Sequence, residues 1–173
     1  MSAITTVLMY LAMLVFPIGM AWAAASDLLT MRISNKLVLL LAAGFCLVAL
    51  GVNIPLQQFG LQLGSAFLVL VVGFTLFAFR FIGGGDAKFA AATALWLDWH
   101  LMPQFLVYAG LLGGALTLAI LALRGLPLMP VLARHAWLER LHDKQSGVPY
   151  GIALALGGML VYPATTIFER LTS

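Results

Sequence analysis

Long stretches without a formal charge alternate with short polar breaks along this chain, at intervals suited to bilayer-crossing helices. Residues 3–25 hold 23 positions free of Asp, Glu, Lys and Arg, and about 20 apolar residues suffice to cross a hydrocarbon core. Residues 37–79 run 43 positions without a charge. Asn53-Ile54-Pro55 and Gln57-Gln58 divide that run, so it predicts two helices joined by a short turn. Residues 99–123 and 145–168 predict two further spans, and a shorter apolar piece occupies residues 89–97. Gly60 with Gly64, and Gly110 with Gly114, predict close helix packing by small residues.

Composition agrees. Of 173 residues, 63% are hydrophobic and 9% charged, with a mean hydropathy of +1.07, against roughly 25% charged in soluble domains. The chain is predicted to be an all-α polytopic membrane protein whose lipid bilayer is its solvent. A single integral-membrane domain over residues 1–173 is expected, because residues 124–149 are too few to bury a soluble core. The net charge of +3 is scattered, which argues against nucleic acid as a partner. Cys46, the only cysteine, allows no disulfide within the chain and reads as a small buried hydrophobe. Ala23-Ala24-Ala25 has the small side chains of a signal-peptide cleavage site. No Lys or Arg precedes the apolar run, however, so it is predicted to stay as a span.

Positive charge decides whether residues 89–97 cross. With that piece crossing there are six spans. Arg32, Lys36, Arg80, Lys88, Arg124, Arg134, Arg140 and Lys144 then share one side and only Arg170 takes the other. Without it, the nine basic residues divide five against four. The positive-inside rule selects six transmembrane helices, both termini outside and the basic loops in the cytoplasm. Residues 128–141 have the composition of a helix lying on the membrane surface, with Arg134 interrupting its apolar face.

In that topology two acids meet the same cytoplasmic boundary. Asp27 closes the first apolar stretch, and Asp86 follows Gly83-Gly84-Gly85, whose lack of side chains permits a sharp turn and close approach. An ionisable group at the edge of a span marks a candidate functional site. Asp98 lies roughly 18 Å further along a helix and so near the opposite face. Glu139 and Asp143 belong to a charge-mixed loop and read as solvated. Two neighbouring carboxyl groups share a proton near neutral pH. The ionised member takes a proton from water while the other donates one to a peptide carbonyl. This chemistry needs no cofactor and no metal, and His135 with His142 makes a weak metal site at best. Each residue also has a structural role to offer. Asp86 reads as a helix N-cap, Ser34-Asn35 as a cap of the second span, Lys88 as an interfacial anchor and Tyr150 as part of an aromatic belt.

Gly83-Gly84-Gly85-Asp86-Ala87-Lys88 resembles the G-x-G-D-x-K segment of the type IV prepilin peptidases, a family of GxGD aspartyl proteases. Ser26-Asp27 followed by Arg32-Ile33-Ser34-Asn35 is similar to that family's first-aspartate segment, with Ser34 in place of the usual proline. Val148-Pro149-Tyr150-Gly151 resembles the segment opening its last helix. The resemblance implies Asp27 and Asp86 as catalytic pair, with Gly83, Gly85, Lys88, Asn35, Pro149, Tyr150 and Gly151 as supporting motif residues. It implies a peptidase without the methyltransferase domain of the larger members, as in tight-adherence (Flp) pilus systems. Its protein partners would be prepilins and pilin-like proteins, cut at the cytoplasmic face of a bacterial inner membrane after a glycine. Basic loops would not attract a basic leader, so geometry and membrane co-insertion would select the substrate. A preflagellin or presenilin-like peptidase is a related reading. A small transporter or proton-conducting subunit using the same two acids is the alternative from another class.

Overall fold

Charge-free runs become helices because a backbone in hydrocarbon must satisfy its own N–H and C=O groups. The computed structural model describes residues 3–127 and 135–172. Every regular element among them is helical: α1 Ala3–Thr30, α2 Asn35–Gly51, α3 Leu56–Ala78, α4 Gly84–Trp96, α5 Met102–Arg124, α6 Ala136–His142, α7 Gly151–Val161 and α8 Thr166–Thr172. Single 3-10 turns, Trp99–Leu101 and Tyr162–Ala164, lead into α5 and α8. Three stretches, Met9–Thr30, Leu56–Ala78 and Trp99–Arg124, are long and apolar enough to cross a membrane, and α7 with α8 makes a fourth if the bent pair is one span. Helix α2 has 17 residues and α4 has 13. The latter is about 20 Å long, short of the roughly 30 Å of a hydrocarbon core. Of the predicted surface helix, residues 136–142 form α6 and residues 128–134 lie outside the described residues.

The outer surface is apolar. Leu39, Leu47, Phe67, Leu111 and Leu118 are all exposed, a pattern suited to lipid contact and far beyond the patches tolerated in water. Inside, α4 is sheathed by its neighbours, lying chiefly along α3 and then α2, while α7 packs between α5 and α1. Small residues make this close packing feasible. A Cβ on Gly73 would come within 3.0 Å of Ala87, and one on Gly157 within 3.0 Å of the Ala109 backbone. Trp96 fills the centre, with Phe16 at 5.4 Å and Phe45 at 6.0 Å between ring centroids. Its indole N–H donates to Leu41 O at 3.0 Å.

Pro17 sits inside α1 and has no N–H for the carbonyl of Met13. The hydroxyl of the buried Tyr162 donates to that carbonyl at 3.4 Å, while its ring lies tilted against Phe16 with centroids 4.6 Å apart.

Four sequence expectations need correction. The stretch 145–168 is not one helix: α7 starts at Gly151, and beyond the turn that holds Pro163 the chain bends by 56° into α8. Pro163 offers no donor to continue the ladder, and the buried Asp98 carboxylate draws the start of α8 aside by accepting from Thr166 N (2.8 Å) and Oγ1 (2.9 Å). Helix α1 runs on to Thr30, so Asp27 ends the charge-free run but not the helix and lies within its last turns. Cys46 is exposed on the outer face. Gly60, Gly64, Gly110 and Gly114 face open space, because the faces of α3 and α5 that bear them are not those packed on neighbouring helices.

Asp98 also accepts from Gln58 Nε2 at 2.8 Å and Gln62 Nε2 at 3.1 Å, so one carboxylate ties α3 to α8. Replacing it strands several donors, each costing about 1–3 kcal/mol when buried. Asp98→Ala should therefore lower unfolding stability in detergent by about 2–4 kcal/mol. Stability equal to the parent's would contradict this account of the knot.

Candidate functional site

Helix α1 carries Asp27 inward because nothing in Ser26-Asp27-Leu28-Leu29 stops a helix. Ser26 Oγ donates back to Ala23 O (3.1 Å) and Thr30 Oγ1 to Ser26 O (2.7 Å), so both hydroxyls are satisfied within the helix. The helix ends at Met31 in the left-handed region (φ 54°), and α3 ends similarly at Arg80 (φ 63°). Side-chain-bearing residues adopt this conformation at a cost of about 1–2 kcal/mol. Met31 and Arg80 both line the same cavity.

Asp86 enters from the first turn of α4. Gly83 is the N-cap, and Asp86, three residues on, reaches back so that Gly83 N donates to its Oδ2 at 3.3 Å. The aspartate thus closes the first turn from inside and is not itself the N-cap. The glycine run works through space: no glycine among the described residues has positive φ. A Cβ on Gly84 would press on the Phe77 ring at 3.3 Å, and one on Gly83 on the Asp86 carboxylate at 2.8 Å.

The third component is the start of α7. Gly151 N donates to Asp27 Oδ2 at 2.7 Å, which places the carboxylate at the positive end of a helix. A Cβ on Gly151 would lie 2.8 Å from that oxygen, so glycine is the residue that permits the contact. Pro149 is buried, and its carbonyl accepts from Ile152 N at 3.3 Å. Tyr150 does not join an aromatic belt. Its ring fills the space left by the missing side chain of Gly113, and its hydroxyl donates to Ala109 O at 3.3 Å.

Asp27, Asp86, Gly83, Gly85 and Tyr150 line one open cavity of about 910 Å³, together with Arg32, Ile33, Arg80, Ile82, Thr117 and Val148 among others. Asp27 is buried and Asp86 half-buried, and both face this one cavity. Asn35 and Lys88 do not line this space. They bond to each other, Lys88 Nζ donating to Asn35 Oδ1 at 3.1 Å, and so pin α4 to the start of α2. Ser34 caps α2 by accepting from Leu37 N at 3.2 Å. Among the described residues no group of three or more His, Cys, Asp or Glu gathers as a metal site. The arrangement suits proton exchange between two acids and a molecule held between them.

Sequence reasoning missed Arg32, Arg80 and Thr117 as lining residues. Arg80 reads in sequence as a marker of membrane orientation, Arg32 as that and as part of the first-aspartate segment, and Thr117 gives no signal inside an apolar run.

A comparison with protein-family models matches residues 14–118 to the type IV leader peptidase family. Neither the curated proteins nor the solved structures hold a significant match.

The Tyr150 slot generates a prediction. Gly113→Ala should cost about 1–3 kcal/mol in unfolding stability by displacing the ring. Gly110→Ala and Gly114→Ala, facing open space, should lose none. Equal behaviour of the three variants in denaturant unfolding would contradict the packing described.

Proposed function

The chain belongs to the type IV leader peptidase family, and on that premise we propose that it is an aspartyl endopeptidase of GxGD type. Its substrates are prepilins and pilin-like proteins of Flp type, cut at the cytoplasmic face of a bacterial inner membrane. Residues 1–173 act as one membrane peptidase unit. The observation that carries this reading is the shared cavity lined by Asp27 and Asp86, each approached by a backbone N–H from a helix start.

The chemistry follows from the pair. One carboxylate is ionised and the other protonated, since two adjacent acids do not both ionise easily. The ionised member removes a proton from water as the oxygen attacks the scissile carbonyl carbon. The protonated member gives its proton to the carbonyl oxygen, forming a neutral gem-diol. On collapse the carbon–nitrogen bond breaks, the amine nitrogen takes a proton from the acid formed in the first step, and one gem-diol hydroxyl returns its proton to the other carboxylate. The carboxyl product, the free amine and the original proton count remain. Gly83 and Gly151 N–H groups hold the two carboxylates in place without competing as bases.

Six crossings, with α2 and the sheltered α4 included and both termini outside, best accommodate the basic residues on one side. In this arrangement the cavity opens to the cytoplasm. A leader held at that level has its scissile bond beside the pair while its hydrophobic helix stays in lipid. Geometry and co-insertion then select the substrate.

Asp27→Asn and Asp86→Asn should each reduce cleavage of a purified Flp-type prepilin by about 10³-fold or more, with membrane insertion unchanged. Mass spectrometry of the released leader measures it. Wild-type cleavage in either variant would remove that residue from the mechanism.

A further inference from the structure

We infer that Arg124 is a positioning residue for the Asp27–Asp86 centre, acting through the segment that leads into α7. This rests on the peptidase reading.

Arg124 is the last residue of α5 and is half-buried. At a membrane boundary the ordinary role of arginine is to reach outward toward water and phosphate. Here the guanidinium turns onto the protein. Its Nε donates to Leu141 O at 2.8 Å, and one terminal nitrogen donates to Ser146 O and Gly147 O, each at 2.9 Å. The three acceptors are backbone carbonyls at the end of α6 and in the irregular stretch that follows. Such bonds are strengthened by the donor's charge, and a planar fork serves several carbonyls at once in a way a lysine ammonium does not.

What Arg124 holds bears directly on the site. Gly147 and Val148 line the cavity. Three residues beyond Gly147, the Tyr150 ring is seated against Gly113 and its hydroxyl on Ala109 O. Helix α5 therefore grips this segment at two points: its final residue holds 146–147 and its middle holds 150. The next N–H, that of Gly151, bonds the Asp27 carboxylate. If the first grip is released, the strand of chain between the two grips loosens. The N–H that sets the direction of Asp27 then loses its fixed position. Misplacement of a reacting group by about 1 Å can cost 10²-fold in rate.

The test compares parent, Arg124→Gln and Arg124→Lys as full chains in lipid nanodiscs, by two readouts. Backbone hydrogen exchange over residues 146–152 should quicken by about tenfold or more in Arg124→Gln. In prepilin cleavage, kcat should fall about 10- to 100-fold, with Arg124→Lys between it and the parent. The pH profile of kcat should also be displaced by about half a unit or more, because the hydrogen bonding of an acting carboxylate has changed. A mere loss of folded protein scales the profile without displacing it. Unchanged exchange in Arg124→Gln overturns the grip itself. Faster exchange with an unchanged pH profile and kcat overturns the positioning role alone. A parent that never cleaves overturns the peptidase reading, and the positioning role with it. Should Arg124→Gln fail to insert, the same comparisons are decided on Arg124→Lys.

Discussion

The hydrogen bond from Gly151 N to Asp27 Oδ2 joins residues 124 positions apart in sequence, and much of the arrangement around the cavity exists to make it feasible. A carboxylate near the end of a long apolar helix is costly to bury without donors. The start of α7 supplies one, and does so only because position 151 has no side chain to intervene. Helix α7 in turn reaches that place by lying against both α1 and α5. Gly157 allows its backbone close to α5, and the Tyr150 ring locks into the gap at Gly113. Remove the contact, and Asp27 has a poorer partner and α7 a poorer start.

The two ends of the bundle handle acidic groups in opposite ways. Asp98 is surrounded by donors: two glutamine amides, a backbone N–H and a threonine hydroxyl occupy its oxygens. It is buried and saturated, which suits a fastening. Asp27 and Asp86 are each given one backbone N–H and are otherwise turned toward an open cavity. Unspent acceptor capacity beside open space is what a reacting carboxylate needs. The contrast separates a structural acid from the proposed catalytic ones more sharply than membrane depth does.

Much of this was legible in the sequence. Charge-free runs marked α1, α2, α3 and α5, and the polar break at residues 53–58 marked the turn between α2 and α3. The two acids stood out because polar groups are scarce in so apolar a chain, and the Pro149-Tyr150-Gly151 segment through its resemblance to the family's motif. Other features were hidden because their partners are remote. Gln58 looked like a turn residue and Gln62 gave no signal, because their acceptor, Asp98, lies about 40 positions away. Arg124 looked like an interfacial charge because its acceptors are carbonyls, which every residue has. Among the glycines of α5, Gly110, Gly113 and Gly114 are equivalent by composition. Only packing reveals that Gly113 faces Tyr150 while the others face outward.

The claim on which the account turns is that residues 27 and 86 work from one side of the membrane. Its most direct test places single cysteines at each position in turn, with Cys46 replaced by alanine, and labels them with a membrane-impermeant thiol reagent. In inside-out vesicles both positions should react, and in right-side-out vesicles neither should. Labelling of the two positions from opposite faces would contradict the account.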